Sequence, residues 1–275
     1  MNSTRSIVIS FVATSTMLLF LVTGCSTVPV TGRSQLNLVS SDQEMALGLS
    51  SFDQLKTNTP INHDPAVNDL VQRVGKRIAA VAAKDMPNAK WEFVVFESKE
   101  ANAFCLPGGK VGVYTGILPI TKDDAGLATV LGHEIGHAVA HHGANRISEA
   151  MVLQTGGQLL GTAVSATDPR WTQATMLAYG AGSKYGRELP HSRQQESDAD
   201  QIGLIYMARA GYDPKAAVEF WKRFADYNKQ HGGGDNSWIA GFLSTHPLDD
   251  VRIKDLESHL PEAEKEYAKG QGGAK

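Results

Sequence analysis

The feature that most constrains this chain is the segment VLGHEIGHAVAHH and the residues before it, from Thr121 to His142. Apolar residues recur there at the spacing of one helix face, which predicts a helix that starts near Asp124. Residues four apart on a helix lie about 5 to 6 Å apart at Cβ. His133 and His137 therefore face the same side and can both reach one metal ion, with Glu134 beside it. By composition alone, H-E-x-x-H is expected only roughly 0.01 times in this chain.

A third metal ligand is needed, because a catalytic zinc takes three protein ligands and keeps one position for water. The best candidate is Glu196 in the acidic stretch ESDAD, which leads into a further run of helically spaced apolar residues. Asp200, one turn further on, can hydrogen-bond the free nitrogen of a ligand histidine and orient its ring. The alternative is a solvated acidic helix end, since acidic residues favour the first turn of any helix.

The first two dozen residues differ from the rest of the chain. An uncharged apolar run from Ile7 to Val22 follows a single cation and ends in small residues before Cys25. This pattern predicts a lipoprotein signal peptide over residues 1–24 with lipidation of Cys25, against the alternative of a retained membrane span. Residues 25–40 are rich in turn-forming residues and are expected to form a lipidated tether rather than a packed element.

Composition excludes some classes of protein. With 275 residues, 42% hydrophobic and 20% charged, the chain can form one sizeable globular domain. A net charge of -3 supplies no basic surface, so nucleic acid is not an expected partner. Only two cysteines are present, and a lipidated Cys25 leaves Cys105 without a disulfide partner. Cys105 is interpreted as a small buried apolar residue.

The remaining patterns predict an α+β fold, mostly helical with one small sheet. Helices are expected from Ser41, which carries a capping signal, and from about Asp64. Trp91–Glu97 is rich in aromatic and β-branched residues and predicts a strand. A hairpin is expected where Gly108-Gly109 separates the segments 103–106 and 111–114.

The folded domain is predicted to span residues 41–260, with residues 261–275 as a C-terminal tail. Residues 143–190 are rich in small side chains and poor in charge, which predicts one or two helices that partly cover the cleft. Small residues permit alternative packing, so a mobile lid is expected; the alternative is a helical hairpin fixed in the core. His141 and His142 are assigned to solvated surfaces.

Four features together resemble a known family: HEIGH, the glutamate-to-aspartate spacing in ESDAD, the stretch ANAFCLPGGKVGVYTG, and THPLDDVR near the C-terminus. Over roughly residues 33–255 the chain resembles the HtpX and BepA type of zinc metallopeptidase, which is related to the CAAX prenyl proteases. It is most similar to the soluble, lipid-anchored bacterial members. The resemblance implies a zincin-like (minigluzincin) domain with one Zn2+ held by His133, His137 and Glu196. Glu134 would be the general base that takes a proton from zinc-bound water.

The resemblance also implies roles for residues outside the ligand set. The sheet edge that starts at Asn102 would hold substrate through Asn102 and the backbone near Phe104, against the alternative of a turn residue and a core aromatic. His246 would lie at the mouth of the site, either to stabilise the oxyanion or to occupy the fourth zinc position and keep the enzyme latent. Arg252 would aid the oxyanion or pair with an acid such as Asp200, against the alternative of a surface salt bridge.

The expected function is that of an endopeptidase of the bacterial envelope that cleaves misfolded or misassembled polypeptides. The alternative is a chaperone or scaffold lipoprotein that grips extended chains while its metal is structural or latched. The serine after Cys25 favours the outer membrane by resemblance, with the protein lipid-anchored and facing the periplasm. Contact with the outer-membrane assembly machinery is expected by family analogy only.

Overall fold

The computed structural model describes residues 24–231, 246 and 250–272. Apart from Gly24, the predicted signal peptide lies outside these residues. The described strands are β1 Cys25–Thr27, β2 Ser34–Leu36, β3 Glu92–Phe96, β4 Ala103–Leu106 and β5 Lys110–Tyr114. The described helices are α1 Ser41–Asn58, α2 Pro65–Ala82, α3 Leu118–Thr121, α4 Asp124–Val139, α5 His142–Thr167, α6 Thr172–Ser183, α7 Leu189–Arg209, α8 Lys215–His231 and α9 Asp250–Gly272.

The first two helices start at side-chain caps. Ser40 caps α1 and forms a capping box with Gln43, so this helix begins one residue after its cap and close to the expected point. Asp64 caps α2 by accepting from two backbone N–H groups, and Pro65 occupies the first turn, where it removes no helical hydrogen bond. The expected start of α2 is confirmed.

The sheet has the strand order β3-β5-β4, with β3 parallel and β4 antiparallel to β5. Gly108 and Gly109 both adopt positive φ, 83° and 79°, which glycine adopts without the clash that a side chain would cause. They form the turn of the expected hairpin. The edge strand β4 packs against α4, so the predicted α+β fold, with an edge strand beside the histidine helix, is confirmed.

Helices α4 and α7 cross at glycines. A Cβ atom on Gly136 would lie 2.8 Å from the carbonyl oxygen of Ala199, and one on Gly203 would lie 2.9 Å from the backbone of Gly132. Glycine inside a helix costs about 1 kcal/mol relative to alanine. Here its lack of a side chain permits backbone contact, and that contact brings the acidic start of α7 to the histidines of α4.

The tether expected for residues 25–40 is wrong. Strands β1 and β2 form an antiparallel pair, and Val28 between them is buried. The Gln35 side chain donates to the carbonyl oxygen of Ala140, and Asn145 on α5 donates to the carbonyl oxygen of Leu36 at 2.6 Å. Composition cannot predict this packing, because its partners lie more than a hundred residues away in the chain.

The expected C-terminal tail is also wrong, because α9 continues through residue 260 and ends at Gly272. Leu256 and Ala263 are fully buried, and Leu260 and Tyr267 pack against the core. Apolar residues at helical spacing thus carry the helix past Pro261, although proline removes one backbone hydrogen bond.

Residues 143–190 form helices, as expected, and few of their described side chains are buried, so the alternative of a hairpin fixed in the core does not describe them. The mobile lid stays a prediction. α5 and α6 lie against each other and are joined by a short 3-10 segment, Pro169–Trp171. Large apolar side chains on this hairpin are exposed. Among the described residues, no helix has the length and apolar content that crossing a membrane requires.

Candidate active site

Helices α4 and α7 bring three predicted metal ligands into one buried cluster. The Nε2 atoms of His133 and His137 are 3.1 Å apart, and each lies 3.3 Å from a carboxylate oxygen of Glu196. Ligand atoms around a tetrahedral zinc with bonds of about 2.05 Å are separated by about 3.3 Å. The side chains therefore fit a single tetrahedral metal ion.

His246 lies at the fourth corner of this cluster. Its Nδ1 is 3.1 Å from Nε2 of His133 and 3.1 Å from Oε2 of Glu196. The donor atoms of the four residues all lie within 4.8 Å of one another, and all four side chains are buried. The structure therefore places His246 where a ligand can bind, and not only at the mouth of the site. The FLST segment that precedes it lies outside the described residues.

Glu134 is beside the cluster and is not part of it. Its side chain is buried, and its Oε1 lies 3.5 Å from Nε2 of His246 and has no hydrogen bond with any described residue. Burial raises the pKa of this carboxyl group, although the nearby histidines oppose the increase. A carboxyl with a raised pKa, next to a metal site, has the properties of a general base that must also release its proton.

Asp200 contacts His133, as its expected orienting role requires. Its Oδ1 is 2.8 Å from Nδ1 of His133, which leaves Nε2 of that ring for the metal. Burial alone raises the pKa of Asp200, but Arg252 and His133 outweigh it and hold the pKa below its usual range. Burial likewise raises the pKa of Glu196, and hydrogen bonds from the histidines lower it by more.

Arg252 is a buried part of the site, so the surface salt-bridge alternative is wrong. Its Nε and Nη2 donate to the two oxygens of Asp200 at 2.6 and 2.8 Å, and Nη1 lies 3.0 Å from Glu196. The guanidinium stacks 3.8 Å above the ring of Trp221. Arg252 thus pairs with Asp200, which is one of the two roles expected for it. Its positive charge also balances the negative charges of Glu196 and Asp200 on α7.

His142 is a functional residue that the sequence reasoning missed, because it is fully buried and not solvated. Its Nδ1 lies 2.8 Å from Nδ1 of His137, and its Nε2 lies 3.5 Å from Oδ2 of Asp198. Arg33 in turn donates to Asp198 at 2.6 Å. His142 follows His137 by five residues, and Asp198 follows Glu196 by two, so their proximity depends on the helix crossing and not on a local pattern.

The direction of the hydrogen bond between His137 and His142 follows from ligand chemistry. If Nε2 of His137 binds a metal, its Nδ1 carries the proton and donates to Nδ1 of His142. The proton of His142 must then be on Nε2, which faces the carboxylate of Asp198. Burial lowers the pKa of both His137 and His142, which favours these neutral rings.

The two ligand histidines differ in their surroundings. Burial lowers the pKa of His133, but Asp200 and Glu196 reverse this and raise it to about 9. The pKa of His137 stays well below its usual value because of burial. The difference follows from direct contact of His133 with Asp200, whereas a neutral histidine separates His137 from Asp198.

The hydrogen bonds between β4 and β5 show which residues of β4 direct their backbone groups to the free edge. Tyr114 donates to the carbonyl oxygen of Asn102 at 3.0 Å, and Phe104 is paired with Gly112. Since hydrogen-bonded pairs alternate in an antiparallel ladder, the backbone of the even-numbered residues faces β5. Ala103 therefore directs its backbone groups to the free edge, as does the other odd-numbered residue of β4, Cys105.

The substrate-facing roles expected for Asn102 and for the backbone near Phe104 stay predictions. The Phe104 ring packs against Phe52, Phe96 and Tyr114, so the core-aromatic alternative describes it. Cys105 is on the active-site face of β4: burial raises the pKa of its thiol, and the charge of Glu134 raises it further. Together, the ligand cluster, the adjacent glutamate and the edge strand β4 define a metal-dependent peptidase.

Comparisons with known proteins agree with this class. Residues 65–260 match the model of peptidase family M48. Mitochondrial metalloendopeptidase OMA1 of Schizosaccharomyces pombe is 36% identical over 240 residues, which cover 86% of this chain and 67% of that protein. OMA1 of Saccharomyces cerevisiae is 34% identical over 265 residues, covering 90% and 73%. The beta-barrel assembly-enhancing protease of Yersinia pestis is 29% identical over 233 residues, covering 84% and 46%.

The chain therefore belongs to peptidase family M48, whose members are metal-dependent. The expected placement on a bacterial outer membrane, facing the periplasm, is wrong, because the relatives with 36% and 34% identity are mitochondrial proteins. An apolar N-terminal run that ends at a cysteine indicates export or attachment and does not specify which membrane is reached. Lipidation of Cys25 stays a prediction.

Proposed function

We propose that the protein is a zinc endopeptidase that cleaves misfolded or misassembled polypeptides. The observation that carries the proposal is the buried tetrahedral arrangement of His133, His137 and Glu196 with Glu134 beside it. Nitrogen and carboxylate donors at these separations suit zinc, whose catalytic sites commonly combine two histidines with a glutamate.

Each residue of the site has a distinct task. When bound, zinc polarises the substrate carbonyl and lowers the pKa of a coordinated water toward neutrality. Glu134 accepts the proton of the attacking water and passes it to the leaving nitrogen, for which its raised pKa is suited. Asp200 and His142 hold the rings of His133 and His137 so that each Nε2 faces the metal.

The substrate class follows from the edge of β4. The backbone of Ala103 and Cys105 points away from β5 and can pair with an extended polypeptide at the edge of the sheet next to α4. Ala103 is 2% exposed in this conformation, so pairing requires the site to open first. Backbone pairing does not depend on side-chain identity, and a folded protein rarely exposes an extended segment. Unfolded regions of polypeptides are therefore the substrates that this edge favours.

Replacing Glu134 with glutamine tests the assignment of the general base. Glu134→Gln should retain zinc and polypeptide binding, whereas hydrolysis of unfolded casein should fall about 10²- to 10⁴-fold, because the proton acceptor is lost. Zinc content, casein affinity and cleavage rate are measured together. Glu219→Gln, an exposed substitution on α8, is the matched control and should keep full activity. Equal activity of the two variants would contradict the enzyme and favour a chaperone or scaffold.

We further propose that His246 keeps the site closed in this conformation. Its Nδ1 occupies the corner of the cluster where the attacking water must bind. His246→Ala should therefore raise kcat/KM for casein, by the factor by which closed molecules outnumber open ones. A decrease of about 10²- to 10³-fold would instead assign His246 to stabilisation of the oxyanion.

A further inference from the structure

The helical hairpin beyond the active site has a surface that the proposed peptidase does not explain. We call residues 150–183, which comprise the distal part of α5, the 3-10 turn and α6, the distal hairpin. Gly157 is the only buried residue in this range. The distal hairpin therefore projects away from the core that holds the active site.

Large apolar side chains cover the distal hairpin. Leu159, Trp171 and Leu177 are 65%, 64% and 70% exposed, and Met151 and Val152 are exposed on the same helix pair. A projecting element that presents so many large apolar side chains to solvent indicates an interaction surface.

The charge of the distal hairpin narrows the choice of partner. Its only charged side chains are Asp168 and Arg170, which pair with each other at 2.8 Å in the turn. The surface thus has no net charge with which to recognise an acidic or basic partner. Such a surface favours an apolar medium over a charged protein.

Some polar groups of the distal hairpin pair within it, whereas the hydroxyl of Thr172 is buried without a hydrogen-bond partner among the described residues. Tyr179 donates to the carbonyl oxygen of Leu153 at 2.8 Å, and its ring packs on Gly157 where a Cβ would meet it at 3.1 Å. Met176 likewise lies against Gly161. A helical backbone pairs its own polar groups, as a segment that enters lipid requires, and the exposed polar side chains of the hairpin suit the headgroup region, where water is present.

We propose that the distal hairpin embeds in the interfacial region of a lipid bilayer. Trp171 and the Asp168–Arg170 pair lie at the headgroup level, where tryptophan is enriched, and Leu159 and Leu177 enter the acyl chains. The hairpin lies in one leaflet, which agrees with the lack of a membrane-spanning helix among the described residues.

The position of the N-terminal segment supports lipid as the partner. Cys25 pairs with Leu36 across β1 and β2, at the usual strand separation of about 4.8 Å. Leu36 accepts a hydrogen bond from Asn145, and the N–H of Leu38 donates to Ser148, both on α5. Cys25, where lipidation is predicted, therefore lies near the base of the hairpin, so that a lipid attached there and the hairpin can reach the same bilayer.

Bromine-labelled lipids test the proposal in the full-length protein. The protein is mixed with phosphatidylcholine vesicles whose acyl chains carry bromine, and tryptophan fluorescence is compared between wild type and Trp171→Phe. Because the chain has four tryptophans, the difference isolates Trp171. We expect the Trp171 signal to be quenched by at least half. Vesicle binding without quenching of Trp171 would overturn the proposal and leave attachment to the N-terminal segment alone.

Two variants separate the apolar surface from other causes. Leu159→Asp combined with Leu177→Asp should abolish the quenching, whereas Leu49→Asp, on an equally helical but different surface, should not change it. Quenching should persist at about 0.5 M salt, where charge attraction is screened. Loss of quenching at that salt would overturn the proposal. So would a concentration-dependent blue shift of Trp171 without vesicles, since it would show that a second copy covers the surface.

Discussion

The two ligand histidines are each held by a hydrogen bond on the ring nitrogen that faces away from the metal cluster. For His133 the partner is Asp200, at 2.8 Å. For His137 the partner is His142. His142 in turn faces Asp198, and Asp198 accepts a hydrogen bond from Arg33. Partners of this kind set ring orientation and ligand basicity, so their loss weakens metal binding without removing a ligand.

His142→Ala is therefore expected to raise the zinc dissociation constant about 10- to 100-fold, because His137 loses the acceptor for its Nδ1 proton. Competition with a fluorescent zinc chelator measures the change. His142→Asn offers a side-chain oxygen to the same proton and should recover part of the affinity. His141→Ala is the adjacent control, since Nδ1 of His141 lies 2.7 Å from Oε2 of Glu44 and the side chain takes no part in the cluster. Equal zinc affinities for the His142 and His141 variants would show that His142 does not support metal binding.

At the scale of elements, the site depends on how closely α4 and α7 approach. The two backbones touch at Gly132, Gly136 and Gly203. This close approach places Glu196 of α7 beside the histidines of α4. Helix propensity alone would favour alanine at each position. Because of this packing, we expect alanine to destabilise the protein at these positions, although helix propensity alone predicts that it would stabilise it.

Gly203→Ala should lower the free energy of unfolding by about 1 to 3 kcal/mol, because its Cβ would lie 2.9 Å from the backbone of Gly132 and His133. Zinc affinity should fall with it, as the helices move apart. Gly180→Ala in α6 has open space around its Cβ and should be neutral or stabilising by up to about 1 kcal/mol. Urea unfolding of both variants is the measurement. If both alanines stabilise the protein, the helix crossing is looser than the structure shows.

At the scale of the whole molecule, the metal site connects parts of the chain that are far apart. Its donors come from α4, from α7 and from His246, which precedes α9. A metal that binds only the folded state stabilises it by mass action. A metal ion at this site is therefore expected to stabilise the domain as well as to serve catalysis.

Removal of zinc should lower Tm, and zinc at 100 times its dissociation constant should restore about 2.7 kcal/mol of stability. Thermal unfolding with and without chelator measures the effect. His133→Ala, which removes a ligand, should show a much smaller zinc-dependent shift. An equal shift in wild type and this variant would show that zinc binds elsewhere.

The sequence alone determined the features that depend on helical periodicity and ligand chemistry. His133 and His137 share a face because they are four residues apart, and Glu196 was found because zinc needs a third ligand. Only the tertiary structure revealed the contacts of Arg33 and His142, the packing of residues 25–40 and the outward-facing groups of β4. These depend on the crossing of α4 with α7 and on strand register, which bring together residues whose spacing in the chain carries no local signal.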